Sequence, residues 1–250
     1  MNEARPLTVV TGGSRGIGAA TAVRLAAAGH DLVLGYLSDR DAAERTAEQV
    51  RARGAQCRVV PADVTDPAAV DQLFDEAADQ GTVTGLVNNA GATLHIGDLA
   101  ETPVDVIRRV IDLNLTGAVL CARRAVLAMG ISHGGQGGVI VNVSSGAATL
   151  GSAHEYVHYA AAKAGVDTLT LGLAQEVAAD GVRVNGVAPG LVRTDIHAAA
   201  GDPGRLERIS AGVPLGRAGE PEEVAAAIAW LLGGECPYVT GATLRVAGGR

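Results

Sequence analysis

Short apolar, β-branched runs alternate with longer segments of helical periodicity from one end of the chain to the other. The short runs are Leu7–Val10, Asp31–Tyr36, Cys57–Pro61, Gly85–Asn88, Val139–Val143 and Val182–Val187, with a last one near Thr243–Val246. Apolar runs this short and continuous suit strands buried on both faces. Between them Ile17–Ala28, Asp41–Arg53, Pro67–Ala78, Val104–Met129, Tyr156–Ala179 and Pro221–Leu232 fit helices. Pro221 opens the last, with Glu222 and Glu223 in the first turn, where carboxylates suit the helix dipole. The alternation predicts an α/β fold: one doubly wound domain over 1–250, its mostly parallel sheet of about seven strands covered by helices on both faces. His197–Gly212 differs in character, being polar, Gly/Pro-interrupted and weakly periodic. It predicts a substrate lid at about 195–215.

Composition narrows this picture. Hydrophobic residues make up 48% of 250 residues and aromatics only 2%, so a large core must be packed from Ala, Val, Leu and Ile. The net charge is −7 and the basic residues are scattered, which argues against a nucleic-acid partner. Cys57, Cys121 and Cys236 are odd in number and far apart, as reduced thiols in the cytoplasm would be. Met1 to Pro6 is polar, and Leu7–Val10 is far too short for a signal peptide or a membrane span.

The first strand runs into Thr11-Gly12-Gly13-Ser14-Arg15-Gly16-Ile17-Gly18, and a helix follows at once. Glycines at 12, 16 and 18 let the backbone turn tightly and approach a ligand closely. The helix N-terminus then offers free N–H groups and a positive dipole end to a pyrophosphate. Gly12, Ser14, Arg15, Gly16, Ile17 and Gly18 are therefore candidate cofactor contacts. An ordinary glycine-rich turn would look similar, the spacing is not G-x-G-x-x-G, and no Gly-Lys-Ser/Thr follows to make a P-loop. Farther along, Tyr159 and Lys163 stand four residues apart, which puts them on one face of a helix. Either Ser144 or Ser145, ending a strand, could donate to a carbonyl oxygen.

The octet resembles the T-G-x-x-x-G-x-G signature of the short-chain dehydrogenase/reductase family, and the resemblance extends over the whole chain. Asp63-Val64, Asn88-Asn89-Ala90-Gly91, Asn114, Ser144-Ser145, Tyr159-x-x-x-Lys163 and Pro189-Gly190 follow in the family's order. Gly12–Gly18, the Tyr-Ala-Ala-Ala-Lys block and the C-terminal Thr240-Gly241 and Ala247-Gly248-Gly249 resemble 3-oxoacyl-carrier-protein reductases and glucose 1-dehydrogenases. The resemblance implies a Rossmann-type fold and an enzyme that moves a hydride between a nicotinamide and a carbonyl or secondary alcohol. It implies that Asp63, with Val64, contacts the adenine side, and that Asn89, Ala90 and Gly91 border the cofactor. Pro189, Gly190, Val192 and Thr194 would meet the nicotinamide, and Asn114 would hold a water linking Lys163 to solvent. It also implies a homotetramer packed through the helices of Asn114 and Tyr159.

In this scheme Tyr159 is the acid/base. A tyrosine's ordinary pKa of about 10 is too high for the task, and the Lys163 ammonium favours the phenolate and lowers it. Tyr156 lacks a lysine at the right spacing, since position 160 is Ala, and is read as a pocket wall. Ser145 is chosen over Ser144 because its spacing from Tyr159 lies closer to the family's. NAD-preferring sites place a carboxylate at the end of the second strand; here stand Tyr36, Leu37 and Ser38, with Asp39 past the contact point. Arg15 and Ser38 could take a 2′-phosphate, so NADP(H) is favoured over NAD(H). Arg205 and Arg208 in the lid read as solvated charge. Two other readings compete: a nucleotide-binding sensor without turnover, and a zinc hydrolase using His154, Glu155 and His158, an H-E-x-x-H match with Glu176 as third ligand. The complete oxidoreductase pattern on the same helix leaves the zinc reading little room, and no metal is expected.

Overall fold

The computed structural model describes residues 5–250; residues 1–4 of the polar N-terminal stretch lie outside them. Strands β1 (Leu7–Thr11), β2 (Asp31–Tyr36), β3 (Cys57–Pro61), β4 (Val83–Asn88), β5 (Gly138–Val143), β6 (Val182–Pro189) and β7 (Thr243–Val246) form one seven-stranded sheet in the order β3-β2-β1-β4-β5-β6-β7. Every pairing is parallel; Val9, for example, sits opposite Val33 on one side and Leu86 on the other. The chain crosses back between β1 and β4, and an open sheet binds its ligand outside the carboxyl ends of the strands at such a reversal. The Rossmann-type α/β reading holds.

The strands alternate side chains between two helical layers. Val9 joins Leu73, Phe74, Leu86 and Ile140 on the side covered by α3 (Pro67–Ala78), α5 (Gly117–Met129) and α7 (Val157–Glu176). Val10 joins Leu25, Leu34, Val50 and Ile228 on the side covered by α1 (Gly16–Ala27), α2 (Arg40–Arg51) and α10 (Pro221–Leu232). Phe74 is the sole phenylalanine, so aliphatic side chains fill nearly all of both layers. No helix among the described residues is long and apolar enough to cross a membrane.

Three local features depart from the periodicity. The single helix expected over Val104–Met129 is α4 (Val104–Ile111) and α5 joined by a wide π-helical turn, Asp112–Thr116. The helix expected from Tyr156 starts at Val157, after a loop in which Gly151, Ser152 and His154 all take positive φ. The lid segment is ordered as two short helices, α8 (Ile196–Ala199) and α9 (Arg205–Ser210), whose Leu206 and Ile209 pack on Leu191, Val213 and Ala218. The short α6 (Ala147–Leu150) follows β5.

Candidate active site

The turn after β1 is built for close approach. Gly12 and Gly16 take φ +64° and +53°, which L side chains rarely adopt, and a Cβ on Gly18 would lie 2.2 Å from the Gly12 carbonyl oxygen. Arg15 precedes α1 in extended conformation and offers no side-chain cap, so the first N–H groups of α1 are open to an anion. Asn89 braces this turn: its Nδ2 donates to the carbonyls of Thr11 (3.0 Å) and Gly12 (3.1 Å). The Thr11 hydroxyl in return accepts from the backbone N–H of Asn89 and Ala90. Thr194 stands over the turn, its methyl 3.2 Å from where a Gly16 Cβ would be.

A cleft of about 410 Å³ runs from this turn along the strand ends, room enough for a small-molecule ligand. Gly12, Ser14, Arg15, Gly16 and Ile17 border it on one side; Ser38, Asp63 and Val64 follow, then Asn89, Ala90 and Gly91. Pro189, Gly190, Val192 and Thr194 face them beside Tyr159 and Lys163. Gly18 and Asn114, also expected at the site, stand behind the lining: one makes room for the turn, the other backs Gly91. At the far end, Asp39 caps α2 by accepting from Ala42 N at 2.9 Å, and Asp63 accepts from the N–H and hydroxyl of Thr65. Tyr36 is buried, Ser38 is exposed, and the guanidinium groups of the exposed Arg15 and Arg40 make no hydrogen bond or ion pair among the described residues. Arg40 was not singled out by sequence, where it reads as an ordinary helix-opening charge.

Tyr159 and Lys163 face inward from the first turns of α7, both buried. The Lys163 Nζ donates to the Val143 carbonyl at 2.8 Å and lies 5.7 Å from the centre of the Tyr159 ring. The Ser145 hydroxyl faces the Tyr159 phenol and accepts from Ala147 N. Ser144 points the other way, its hydroxyl donating to the Lys163 carbonyl at 3.2 Å. The two serines thus divide between cleft and helix. Burial pushes the Tyr159 phenol well above its ordinary range, with the Ser145 hydrogen bond opposing. This corrects the lowering expected from Lys163: in the ligand-free site desolvation of the phenol dominates. Burial likewise holds Lys163 down to about 8, with Asp167 opposing.

Asn114 sits in the π turn. A wide turn leaves one carbonyl short of its usual helical partner, and Asn114 Nδ2 donates to Val110 O and to Ala92 O, both at 2.8 Å. Its Oδ1 is buried without a partner. A Cβ on Gly91 would lie 2.6 Å from that oxygen and 3.4 Å from Lys163 Nζ, so both atoms look onto the small space that glycine leaves.

The zinc pattern is not assembled. His154 precedes α7 in left-handed conformation and bonds the Asp98 carboxylate at 2.8 Å on the surface, while His158 is buried inside the helix. Glu155 pairs with Arg205 at 2.6 Å, and no group of three His, Cys, Asp or Glu among the described residues could hold a metal ion. Arg205 corrects the reading of a solvated lid charge: it is 3% exposed, donates to the Tyr156 hydroxyl at 3.2 Å and stacks over that ring. Arg208 is exposed, paired with Asp202. Tyr156 lines the cleft and meets Tyr159 edge-on with centroids 5.5 Å apart, a pocket wall as expected. Nothing in the periodicity of the segment marks Arg205 as buried; its contacts with Glu155 and Tyr156, which precede α7, do.

A family model described as enoyl-(acyl carrier protein) reductase matches residues 12–250. An uncharacterized oxidoreductase of Escherichia coli K12 is 45% identical over 246 residues, covering 98% of this chain and 99% of its own. The 3beta-hydroxysteroid dehydrogenase 1 of Eggerthella lenta is 42% identical over 246 residues, covering 96% of this chain and 92% of its own. Among solved structures, a short-chain dehydrogenase from Burkholderia cenocepacia in complex with NADP matches with a TM-score of 0.90 at 33% identity, over 98% of this chain and 97% of that one.

Proposed function

The chain belongs to the short-chain dehydrogenase/reductase family, and on that premise we propose that it is an NADP(H)-dependent oxidoreductase that interconverts a carbonyl compound and a secondary alcohol. The observation that carries this reading is the set Ser145, Tyr159 and Lys163 gathered at the cleft, across from a glycine turn open to phosphate. A nicotinamide dinucleotide lying in that cleft would supply or accept the hydride. Ser145 donates a hydrogen bond to the substrate oxygen, and Tyr159 gives it a proton in reduction or takes one in oxidation. The neutral phenol of the ligand-free site suits the reductive direction. Lys163 orients the ribose and favours the phenolate; Asn114 Oδ1, unpaired beside Gly91, holds the water that returns a proton to Lys163.

Three features support NADP(H). The carboxylate just beyond β2, Asp39, borders the cleft, but one of its oxygens is engaged as a helix cap. Arg15 and Arg40 flank Ser38 with unpaired guanidinium groups, suited to a 2′-phosphate. A related structure holds NADP. The enzyme is a cytoplasmic homotetramer in this reading: Ile111, Val119, Leu127 and Leu171 stand exposed on α4, α5 and α7, where subunits would pack.

The test pairs binding with turnover. NADPH and NADH are titrated by cofactor fluorescence, and a panel of ketones is assayed by nicotinamide absorbance. Tyr159→Phe should keep cofactor affinity and lose turnover by roughly 100- to 10,000-fold. Full activity in that variant would remove Tyr159 from its role; binding without turnover across the panel would favour a sensor.

A further inference from the structure

Helix α7 carries a third ionisable side chain in step with the catalytic pair. Tyr159, Lys163 and Asp167 follow at four-residue intervals, so they stand one above another on the same face. The Asp167 side chain is half-buried, and its Oδ1 has neither solvent nor a hydrogen-bond partner. An aspartate in mid-helix caps nothing and is a poor helix former, so its position calls for another explanation.

The surroundings of Lys163 supply one. From β5 the Val143 carbonyl takes its proton donor; from the loop after β4 it meets Gly91; from the π turn it meets the neutral amide of Asn114; from α7 it meets the Tyr159 ring. Asp167, one turn farther along the same face of α7, brings the opposing negative charge. A fully buried amine without a counter-charge tends to lose its proton, and a neutral Lys163 could not favour the Tyr159 phenolate. Facing Asp167 in turn are the hydroxyls of Ser144, just after β5, and Thr243 from β7, with the Arg245 guanidinium farther off. Arg245 is engaged with the Thr149 hydroxyl and the Arg250 carbonyl, each at 2.5 Å. Asp167 has no resolved influence on Tyr159, consistent with its place on the far side of Lys163.

We propose that Asp167 is a positioning residue that keeps the Lys163 amine charged from behind, so that Lys163 can serve Tyr159 without a carboxylate entering the cleft. This rests on the catalytic reading above. In the protein saturated with NADP+, the Tyr159 phenolate is followed by near-ultraviolet absorbance, as the difference between otherwise identical proteins with and without Tyr159→Phe. Asp167→Asn discharges Lys163 first, so the phenolate step should move to higher pH by about one unit or more. Cofactor affinity should change little, and Asp167→Glu should restore the step. A folded Asp167→Asn protein with an unmoved step would overturn the proposal. A second measurement needs neither cofactor nor turnover: carboxyl 13C NMR of Asp167 in the ligand-free protein and in Lys163→Met. The coupling is reciprocal, so losing the ammonium should raise the Asp167 titration by a similar interval, and an unchanged titration sinks the proposal. Absence of any Tyr159 step in the unaltered protein would count against the catalytic reading, while the NMR comparison still decides for Asp167.

Discussion

Replacing Lys163 by methionine, which keeps the length and removes the charge, is expected to stabilise the ligand-free protein. The buried amine titrates at about 8 instead of its ordinary 10.5, so the unfolded chain binds this proton more tightly than the folded one. Between those values the unfolded state carries the extra proton, and stability rises with pH; below about 8 the penalty is present in full. The gap of about 2.5 pH units corresponds to about 3.5 kcal/mol at roughly 1.4 kcal/mol per unit. Losing the hydrogen bond to Val143 O offsets about 1 kcal/mol of this. A net gain of about 2.5 kcal/mol near neutral pH remains; it should shrink as pH rises from 8 and turn into a loss of about 1 kcal/mol above pH 10.5. Urea unfolding of both proteins at one concentration across that range measures it. Cys57 and Cys121, pushed up to about 12 by burial, lose stability with rising pH in both proteins and cancel in the difference. A difference that is flat with pH, or a less stable variant at neutrality, would refute the reasoning.

Gly18→Ala would drive a methyl to 2.2 Å from Gly12 O and 2.7 Å from Asn89 Nδ2, displacing the turn; NADPH affinity should fall at least about tenfold, and unchanged binding in the fluorescence titration would contradict the close fit. Arg15→Ala combined with Arg40→Ala should weaken NADPH by about tenfold or more while sparing NADH, with equal losses for both cofactors counting against a 2′-phosphate site. Glu155→Gln leaves the Arg205 guanidinium buried without its carboxylate. The lid should then open more often, seen as faster limited proteolysis within 195–215 and a higher KM; identical cleavage rates would mean that apolar contacts alone hold it.

Strand and helix positions were legible because a parallel sheet covered on both faces favours apolar runs, and β1 and β2, buried along nearly their whole length, lie where those runs do. The site was legible where chemistry needs a fixed spacing on one element, as with Tyr159 and Lys163, or a residue type that only backbone explains, as with Gly12 and Gly16. What stayed hidden depends on two distant segments meeting. Arg205 is an ordinary lid charge until Glu155 and Tyr156 close on it. Ser144 and Ser145 are adjacent and alike in sequence; only the twist at the end of β5 turns one to the helix and the other to the cleft. His154 matched a zinc pattern because periodicity cannot see that the helix begins three residues later.

The wide turn at Asp112–Thr116 makes a splice of what the eye reads as one rod. It takes in one residue more than an α-helical turn, and each residue of an α-helix advances about 100°. The two helices then serve different neighbours: α4 packs Val110 with Tyr159 and Ala160 of α7, while α5 packs Cys121, Ala125 and Met129 into the sheet core. Removing a single residue between 112 and 116 would yield a more regular helix and a worse enzyme, since the amide beside Gly91 would rotate away while either Val110 swung off Tyr159 or the buried face of α5 swung off the sheet core. Insertions and deletions here are not interchangeable with substitutions: the frame of the helix, more than the identity of any one side chain, is what brings Asn114 to the site.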